Sequence, residues 1–153
     1  MTWLNRYNTA HEAWFKTEYP NAYKDGHYLP PKKPKVETEK GLKDFIINFI
    51  KWSGGRATDL RKVHGVMVNE SEQQASGTVL IVKKFKHTGV KKGVADVDST
   101  INGRACKWEI KIGRDCPREE QLKEQSAERR AGGIYEFVST PEEFLQHFDL
   151  LNI

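Results

Sequence analysis

The chain has 153 residues, of which 30% are charged and 37% are hydrophobic, and its formal net charge is +4. This length favours one soluble domain with a buried core, and the positive charge favours nucleic acid over a membrane as the partner. No apolar run is long enough to span a bilayer, and the N-terminus lacks the apolar stretch of a signal peptide. Two cysteines, Cys106 and Cys116, are too few for a disulfide framework, so we expect reduced thiols in a cytoplasmic protein.

Residues 1–36 are predicted to form an N-terminal arm, separate from a main domain over residues 37–153. A short helix is predicted after the capping pair at residues 8–9 and before Pro20. The stretch over residues 21–36 is rich in lysine and proline, which is typical of an extended basic linker. The aromatic residues of the arm argue against simple disorder. We expect them to pack on the domain itself or on a second subunit, or else to contact nucleic acid.

The clearest helix is predicted over residues 38–52, ended by the glycine pair 54–55. Its apolar residues recur at helical spacing and form a single stripe. The stripe comprises Leu42, Phe45, Ile46, Phe49 and Ile50. Glu39 lies at the edge of this stripe, on the side that we expect to be buried. Such an acid either interacts with the positive end of the helix dipole or belongs to a functional site.

Residues 56–92 carry weaker signals. A strand with a turn is predicted over residues 56–68, a polar loop over 71–77 and a buried strand over the apolar run 78–82. Five lysines then occur within ten residues, either as a solvated surface or as a loop that binds phosphates. These lysines are Lys83, Lys84, Lys86, Lys91 and Lys92.

A β-hairpin is predicted around the dipeptide 102–103, Asn-Gly, because this pair between alternating runs favours a two-residue type I′ turn. Such a turn sets Ile101 opposite Arg104, and Asp98 opposite Lys107 as a structural ion pair. Continued outward, the same register sets Asp96 opposite Glu109, with Lys111 on the same face. Like charges directly opposite in a sheet are destabilising, and a divalent cation between the two carboxylates would relieve that cost.

The segment after the hairpin is predicted to form a helix, a strand and a last helix. The first helix starts at residues 115–117, where proline occupies the first helical position, and ends at the glycine pair 132–133. Gln121 and Gln125 share one of its faces. The strand over residues 134–138 follows a crossover and is therefore predicted to run parallel to the second strand of the hairpin. Residues 140–143 form a capping box for the last helix.

The ordered acidic and basic residues of this region resemble the PD-(D/E)xK nuclease signature. More narrowly, the chain resembles a VRR-NUC domain from about residue 38 to the C-terminus. The matching positions are Gly93 and Asp96, the triplet 109–111 (Glu-Ile-Lys), Gln121 and the glycine pair 132–133. The family usually has proline before the acid, where this chain has alanine.

The resemblance implies a restriction-endonuclease-like α/β core of order α-β-β-β-α-β, with a mixed central sheet flanked by helices. It also implies a nuclease dependent on Mg²⁺, with Mn²⁺ able to substitute. The implied metal ligands are Glu39, Asp96, Glu109 and the carbonyl of Ile110. The implied catalytic residues are Asp96, Glu109, Lys111 and Gln121, with the lysine and the glutamine orienting the attacking water.

The resemblance further implies a structure-selective DNA endonuclease, most similar to Holliday-junction resolvases. Because a junction has two equivalent strands to cut, such an enzyme is expected to be a homodimer, and the N-terminal arm could exchange between subunits. The alternatives are a non-catalytic nucleic-acid-binding module and a flap or RNA nuclease with the same site. Small stand-alone domains of this kind suggest a phage or another mobile element as the source.

Overall fold

A computed structural model describes residues 1–60, 66–73, 76–77, 79–86 and 93–152 of the chain. The described residues form five helices and six strands. The helices are α1 (Trp3–Glu18), α2 (Pro20–Lys24), α3 (Glu39–Trp52), α4 (Glu119–Arg130) and α5 (Pro141–Leu150). The strands are β1 (Arg56–Asp59), β2 (Val66–Gln73), β3 (Val79–Lys86), β4 (Val97–Ile101), β5 (Arg104–Ile110) and β6 (Ile134–Val138).

Four strands form a mixed sheet in the order β1-β4-β5-β6. The pairs β1–β4 and β4–β5 are antiparallel, whereas β5 and β6 are parallel, as the crossover through α4 predicts. Among the described residues, strands β2 and β3 pair with each other alone, in a second, antiparallel sheet. The chain is therefore an α/β protein with a four-stranded mixed sheet flanked by helices.

The apolar core lies on the side of the sheet that α3 and α5 cover. The indole of Trp108 on β5 packs edge-on against Phe144 of α5, with ring centroids 4.9 Å apart. Phe49 of α3 packs against Phe148 of α5 at 5.1 Å. The indole nitrogen of Trp108 donates to Ser99 Oγ at 2.9 Å, so the buried polar atom of this large side chain has a partner.

The predicted hairpin and its register are confirmed. Asn102 and Gly103 have φ angles of 49° and 77°, the two left-handed conformations that a type I′ turn requires. Ile101 pairs with Arg104, and Asp98 with Lys107. The turn chemistry alone was therefore enough to set which residues face each other.

The predicted helix over residues 38–52 is confirmed as α3, with Thr38 as its N-cap. The Thr38 hydroxyl accepts a hydrogen bond from the Gly41 amide at 3.0 Å. Every apolar residue of the predicted stripe is buried. This helix is thus the main apolar cover of the sheet.

The N-terminal helix is longer than predicted, because Thr2 caps it six residues before the predicted pair. In this single chain α1 packs on α3: Tyr7 is 2% exposed and its ring lies 5.2 Å from that of Phe45. Arg6 also forms an ion pair with Asp149 at 2.6 Å. The expectation that the aromatic arm packs on its own domain is therefore confirmed for α1.

The prediction for residues 71–82 is wrong in two respects. Residues 71–73 continue strand β2 instead of forming a loop. The apolar run belongs to β3 of the second sheet, and Val79 and Ile81 are 58% and 72% exposed. An apolar run predicts a strand but cannot predict which sheet it joins, and this one lies outside the central sheet.

The helix after the hairpin begins at Glu119, not at residues 115–117, so Pro117 precedes it. Both cysteines are free thiols, as predicted, and burial raises the pKa of Cys106 to about 11. Within the described residues, every helix is too short or too polar to cross a membrane.

We predict that Tyr7→Ala lowers the free energy of unfolding by about 3 kcal/mol, because it removes a buried aromatic ring between α1 and α3. Tyr7→Phe should cost about 1 kcal/mol or less, since it loses only the 3.4 Å hydrogen bond from Asn48 Nδ2. Urea unfolding measures both values. Tyr19→Ala is the control, because Tyr19 is 51% exposed. Equal losses for Tyr7→Ala and Tyr19→Ala would show that α1 is not docked in solution.

Candidate active site

Three charged side chains are buried together where the hairpin strands end. Asp96 immediately precedes β4. Glu109 is the second-to-last residue of β5, and Lys111 directly follows that strand. Asp96 and Glu109 are both 0% exposed, and Lys111 is 6% exposed. Charged groups are almost never buried in this way unless they are paired or bind a ligand.

Asp96 is fixed by the backbone of both neighbouring strands. Its carboxylate oxygen Oδ2 accepts a hydrogen bond from the Ile110 amide at 2.9 Å. Its main-chain carbonyl accepts another from the Leu60 amide at 3.0 Å. The carboxylate is therefore held against the end of β5, next to Glu109 and Lys111.

Glu109 is the centre of a polar network. Its Oε1 atom accepts a hydrogen bond from Gln121 Nε2 and forms an ion pair with the Lys111 ammonium, whose Nζ lies 3.2 Å away. Lys111 Nζ also lies 3.2 Å from Asp115 Oδ2, a carboxylate that is half exposed. The ammonium thus joins a buried carboxylate to one at the surface, which keeps its charge compensated.

Gln121 is oriented by the start of its own helix. Its Oε1 atom accepts a hydrogen bond from the Arg118 amide at 2.9 Å, which leaves Nε2 to donate to Glu109. The residue is 8% exposed. Gln121 therefore contacts one member of the acidic pair, and its bond to the Arg118 amide is a capping contact at the start of α4.

Gly93 allows α4 to approach the acidic pair. Its φ angle is +85°, and a Cβ atom there would lie 2.5 Å from the Glu120 carbonyl. The carbonyl of Gly93 accepts a hydrogen bond from the Tyr135 hydroxyl at 3.2 Å. The glycine therefore keeps the first turn of α4, and with it Gln121, close to the sheet.

Tyr135 is a site residue that sequence reasoning missed. It is fully buried, and desolvation, followed by the charges of Glu109 and Asp96, raises its pKa well above the ordinary value. The hydroxyl therefore stays protonated and donates to Gly93. Tyr135 pairs with Lys107 in the parallel β5–β6 ladder. Because Lys107 and Glu109 are two residues apart and share one face of β5, this register places Tyr135 on the face of Glu109. Strand alternation was therefore the signal that could have identified it.

A pocket of about 220 Å³ opens beside this group and is lined by Gly93, Arg118, Glu120 and Gln121. Asp115 and Arg118, at the exposed side of the site, were also missed as candidates. Both lie in the irregular stretch between β5 and α4, where periodicity carries no information.

Two sequence predictions about acids are corrected. Asp98 lies opposite Lys107, as predicted, but among the described residues Lys107 forms its ion pair with Glu128, at 2.6 Å. Glu39 is exposed, not on the buried side of its helix. It lies in the first turn of α3, one turn before the first buried residue, Leu42.

The three-acid metal site implied by the resemblance is not assembled. Across the described ranges of the chain, no group of three or more histidine, cysteine, aspartate or glutamate side chains is placed to hold a metal ion. The donors that remain are the carboxylates of Asp96 and Glu109, which supply the hard oxygen atoms that Mg²⁺ prefers. Their chemistry fits Mg²⁺, and the Ile110 carbonyl, water and substrate oxygens would have to supply the other ligands.

The predicted lysine loop is only partly described. Lys83, Lys84 and Lys86 belong to strand β3 and not to a loop, and their side chains lie outside the described part. Lys91 and Lys92 lie outside the described residues altogether. The role of these lysines in binding phosphates stays a prediction.

Comparison with protein-family models, with curated proteins and with solved structures gives no match for this chain. The resemblance to VRR-NUC domains therefore stays a prediction that rests on its own residues.

We predict that Gly93→Ala lowers the free energy of unfolding by about 1–3 kcal/mol from backbone strain alone, and further because α4 must move. Gly26→Ala is the matched control, since Gly26 has a φ angle of +77° but open space around its Cβ position. Urea unfolding measures the loss for each variant. The loss at Gly26 gives the backbone strain alone, and the excess at Gly93 gives the cost of the steric clash with α4. Equal losses would contradict the close approach of Gly93 to α4.

Proposed function

We propose that the chain is a metal-dependent, structure-selective DNA endonuclease of the VRR-NUC type, built on a restriction-endonuclease-like core. The observation that carries this proposal is the burial of Asp96, Glu109 and Lys111 together at one end of the sheet. Buried charges contribute little to stability compared with apolar side chains of similar size. A cluster of this kind is better explained by catalysis than by folding.

The order of elements in the central sheet supports the proposed core. Leaving aside the second sheet of β2 and β3, the chain from α3 reads α-β-β-β-α-β, with the acidic pair on the hairpin and the glutamine on the crossover helix. In this interpretation β2 and β3 are an insertion between the first strand of the sheet and the hairpin.

Hydrolysis of a phosphodiester needs an activated water, neutralised phosphate charge and a stabilised leaving oxygen. Bound Mg²⁺ supplies charge neutralisation and lowers the pKa of water, and Mn²⁺ would substitute for it. Asp96 and Glu109, with the Ile110 carbonyl, are the residues that would hold the ion. The network fixes their orientation before any ligand binds, because each carboxylate already accepts a hydrogen bond from a positioned donor.

Lys111 and Gln121 would orient the attacking water, and Lys111 would stabilise the negative charge that develops on the phosphate. The Lys111 ammonium lies 3.2 Å from Glu109 Oε1, so it can orient a water near that carboxylate and stabilise negative charge on the phosphate. Gln121, in α4, donates a hydrogen bond to the same Oε1 atom. The alternative role for Lys111 is that of general base.

The preferred substrate is a branched DNA such as a four-way junction. Paired cuts in the two equivalent strands of a junction require two sites, so we propose a homodimer in the cytoplasm of a bacterial or phage-infected cell. A flap nuclease, an RNA nuclease and a non-catalytic nucleic-acid-binding module are the outcomes that the assay must separate.

We predict that Asp96→Ala, Glu109→Ala and Lys111→Ala each abolish cleavage of a labelled four-way junction in Mg²⁺, because each removes a buried member of the network. Asp98→Ala should retain most of the activity, since Asp98 lies outside that network and is the matched control. Gln121→Ala should lower the rate about ten- to a hundredfold, as is usual for groups that orient a metal ligand.

The same assay should include a 5′ flap, plain duplex and a matched RNA, each with Mg²⁺, Mn²⁺ or EDTA. Paired cuts in the junction that need metal and vanish in Glu109→Ala would support the resolvase. Binding to every substrate without any cleavage would instead establish the non-catalytic module. Equal loss at Asp98 and Asp96 would overturn the assignment of the acid.

A further inference from the structure

A pocket lined by lysines lies outside the buried network of Asp96, Glu109 and Lys111. Four lysines from two segments line one pocket of about 380 Å³ between the proline-rich linker and the start of α3. They are Lys32, Lys33, Lys35 and Lys40. The acid in the lining is Asp44, and its carboxylate is already bound by Lys40 at 2.6 Å. The lining therefore has an excess of positive charge.

The linker that carries three of these lysines is held in place by its backbone. The Lys35 carbonyl accepts hydrogen bonds from the Thr38 amide at 3.0 Å and from the Thr38 hydroxyl at 2.9 Å. A Cβ atom on Gly41 would lie 1.9 Å from that carbonyl oxygen. Only glycine at this position lets the linker lie against the first turn of α3.

Prolines and a contact with α1 also restrict the conformation of the linker. Pro30, Pro31 and Pro34 restrict φ on both sides of the lysine pair. The Lys33 ammonium lies 5.8 Å from the centre of the Trp3 ring, over a residue of α1. The cationic surface is therefore built by tertiary contacts and is not a freely moving tail.

The first half of α3, which lines this pocket, is linked through sequence neighbours of the acidic pair to the strand ends where that pair lies. Lys43, one turn after Lys40 in α3, forms an ion pair with Asp59 at 3.3 Å. Asp59 pairs with Val97 at the end of β1, and the next residue, Leu60, donates to the Asp96 carbonyl.

We propose that Lys32, Lys33, Lys35 and Lys40 bind the sugar–phosphate backbone of the nucleic acid on which the Asp96–Glu109 site acts. The inference rests on the proposed function and adds a contact surface to it. Lysines are suited to this task because they recognise phosphates as point charges without reading the bases. The surface would hold a strand at the end of the sheet where its phosphodiester can reach the acidic pair.

The test compares two triple variants of equal charge in the Glu109→Gln protein, which should bind without cutting. One is K32Q/K33Q/K35Q, which leaves the Lys40–Asp44 pair intact. The control is K16Q/K24Q/K51Q, whose lysines are exposed and lie outside the pocket. The control also removes a lysine that lies over an aromatic ring, because Lys16 is 5.4 Å from the Tyr23 ring centre.

Fluorescence anisotropy with a labelled DNA duplex, over a series of salt concentrations, gives the affinity and its salt dependence. For the linker triple we expect an affinity loss of about ten- to a hundredfold and a salt slope reduced by about 2 to 3. The control triple should change both quantities much less. Gly41→Ala should weaken binding without any change of charge, since it displaces Lys35. A matched RNA duplex shows whether the surface is limited to DNA.

Equal losses for the two triples would overturn the inference, because only net charge would then matter. Absence of binding by the Glu109→Gln protein to both the duplex and a four-way junction would overturn it as well. Neither result decides the proposed function, which fails separately if the unmodified chain cuts no substrate with Mg²⁺ or Mn²⁺. Circular dichroism of each variant confirms that a loss of binding is not a loss of folding.

Discussion

The two-residue turn at Asn102 and Gly103 constrains everything that follows in the sheet. Because side chains alternate along a strand, a slip of one residue would exchange the two faces of the hairpin. Trp108 would then leave the apolar core, and Glu109 would enter it. The positive φ angles of the turn exclude such a slip, since they specify one loop length and one register. A local backbone preference thereby decides where the charged residues are buried.

The two faces of the sheet are covered in different ways. On one side, α3 and α5 supply aromatic and aliphatic side chains that pack on Trp108. On the other side, α4 has one large apolar residue, Leu122, and it is 46% exposed. Polar contacts attach this helix instead: Gln121 to Glu109, Lys107 to Glu128, and Gln125 Nε2 to the Tyr135 carbonyl at 3.0 Å. The position of α4 therefore depends on the same side chains that form the candidate site.

The features that were predictable from the sequence are those that local chemistry determines. Turn residues set the hairpin register, helical spacing identified α3, and a strand after a crossover was correctly expected to be parallel to β5. The failures concern tertiary placement. The apolar residues of β3 gave no sign that their strand joins a separate sheet, and Glu39 was misplaced because it lies one turn before the buried stripe. Tyr135 reaches the site only because the parallel pairing of β5 and β6 brings it there.

The polar face also shows a conflict between stability and chemistry. Two carboxylates with no exposed surface and one ammonium with 6% exposure have lost most of their hydration. Hydrogen bonds from the Ile110 amide and from Gln121 offset part of that loss. Apolar side chains of the same size would not carry this desolvation cost at all. Like charges held at one strand end are useful where a cation and a phosphate are to be bound. The burial of these groups is thus a cost to folding that a metal-dependent reaction would explain.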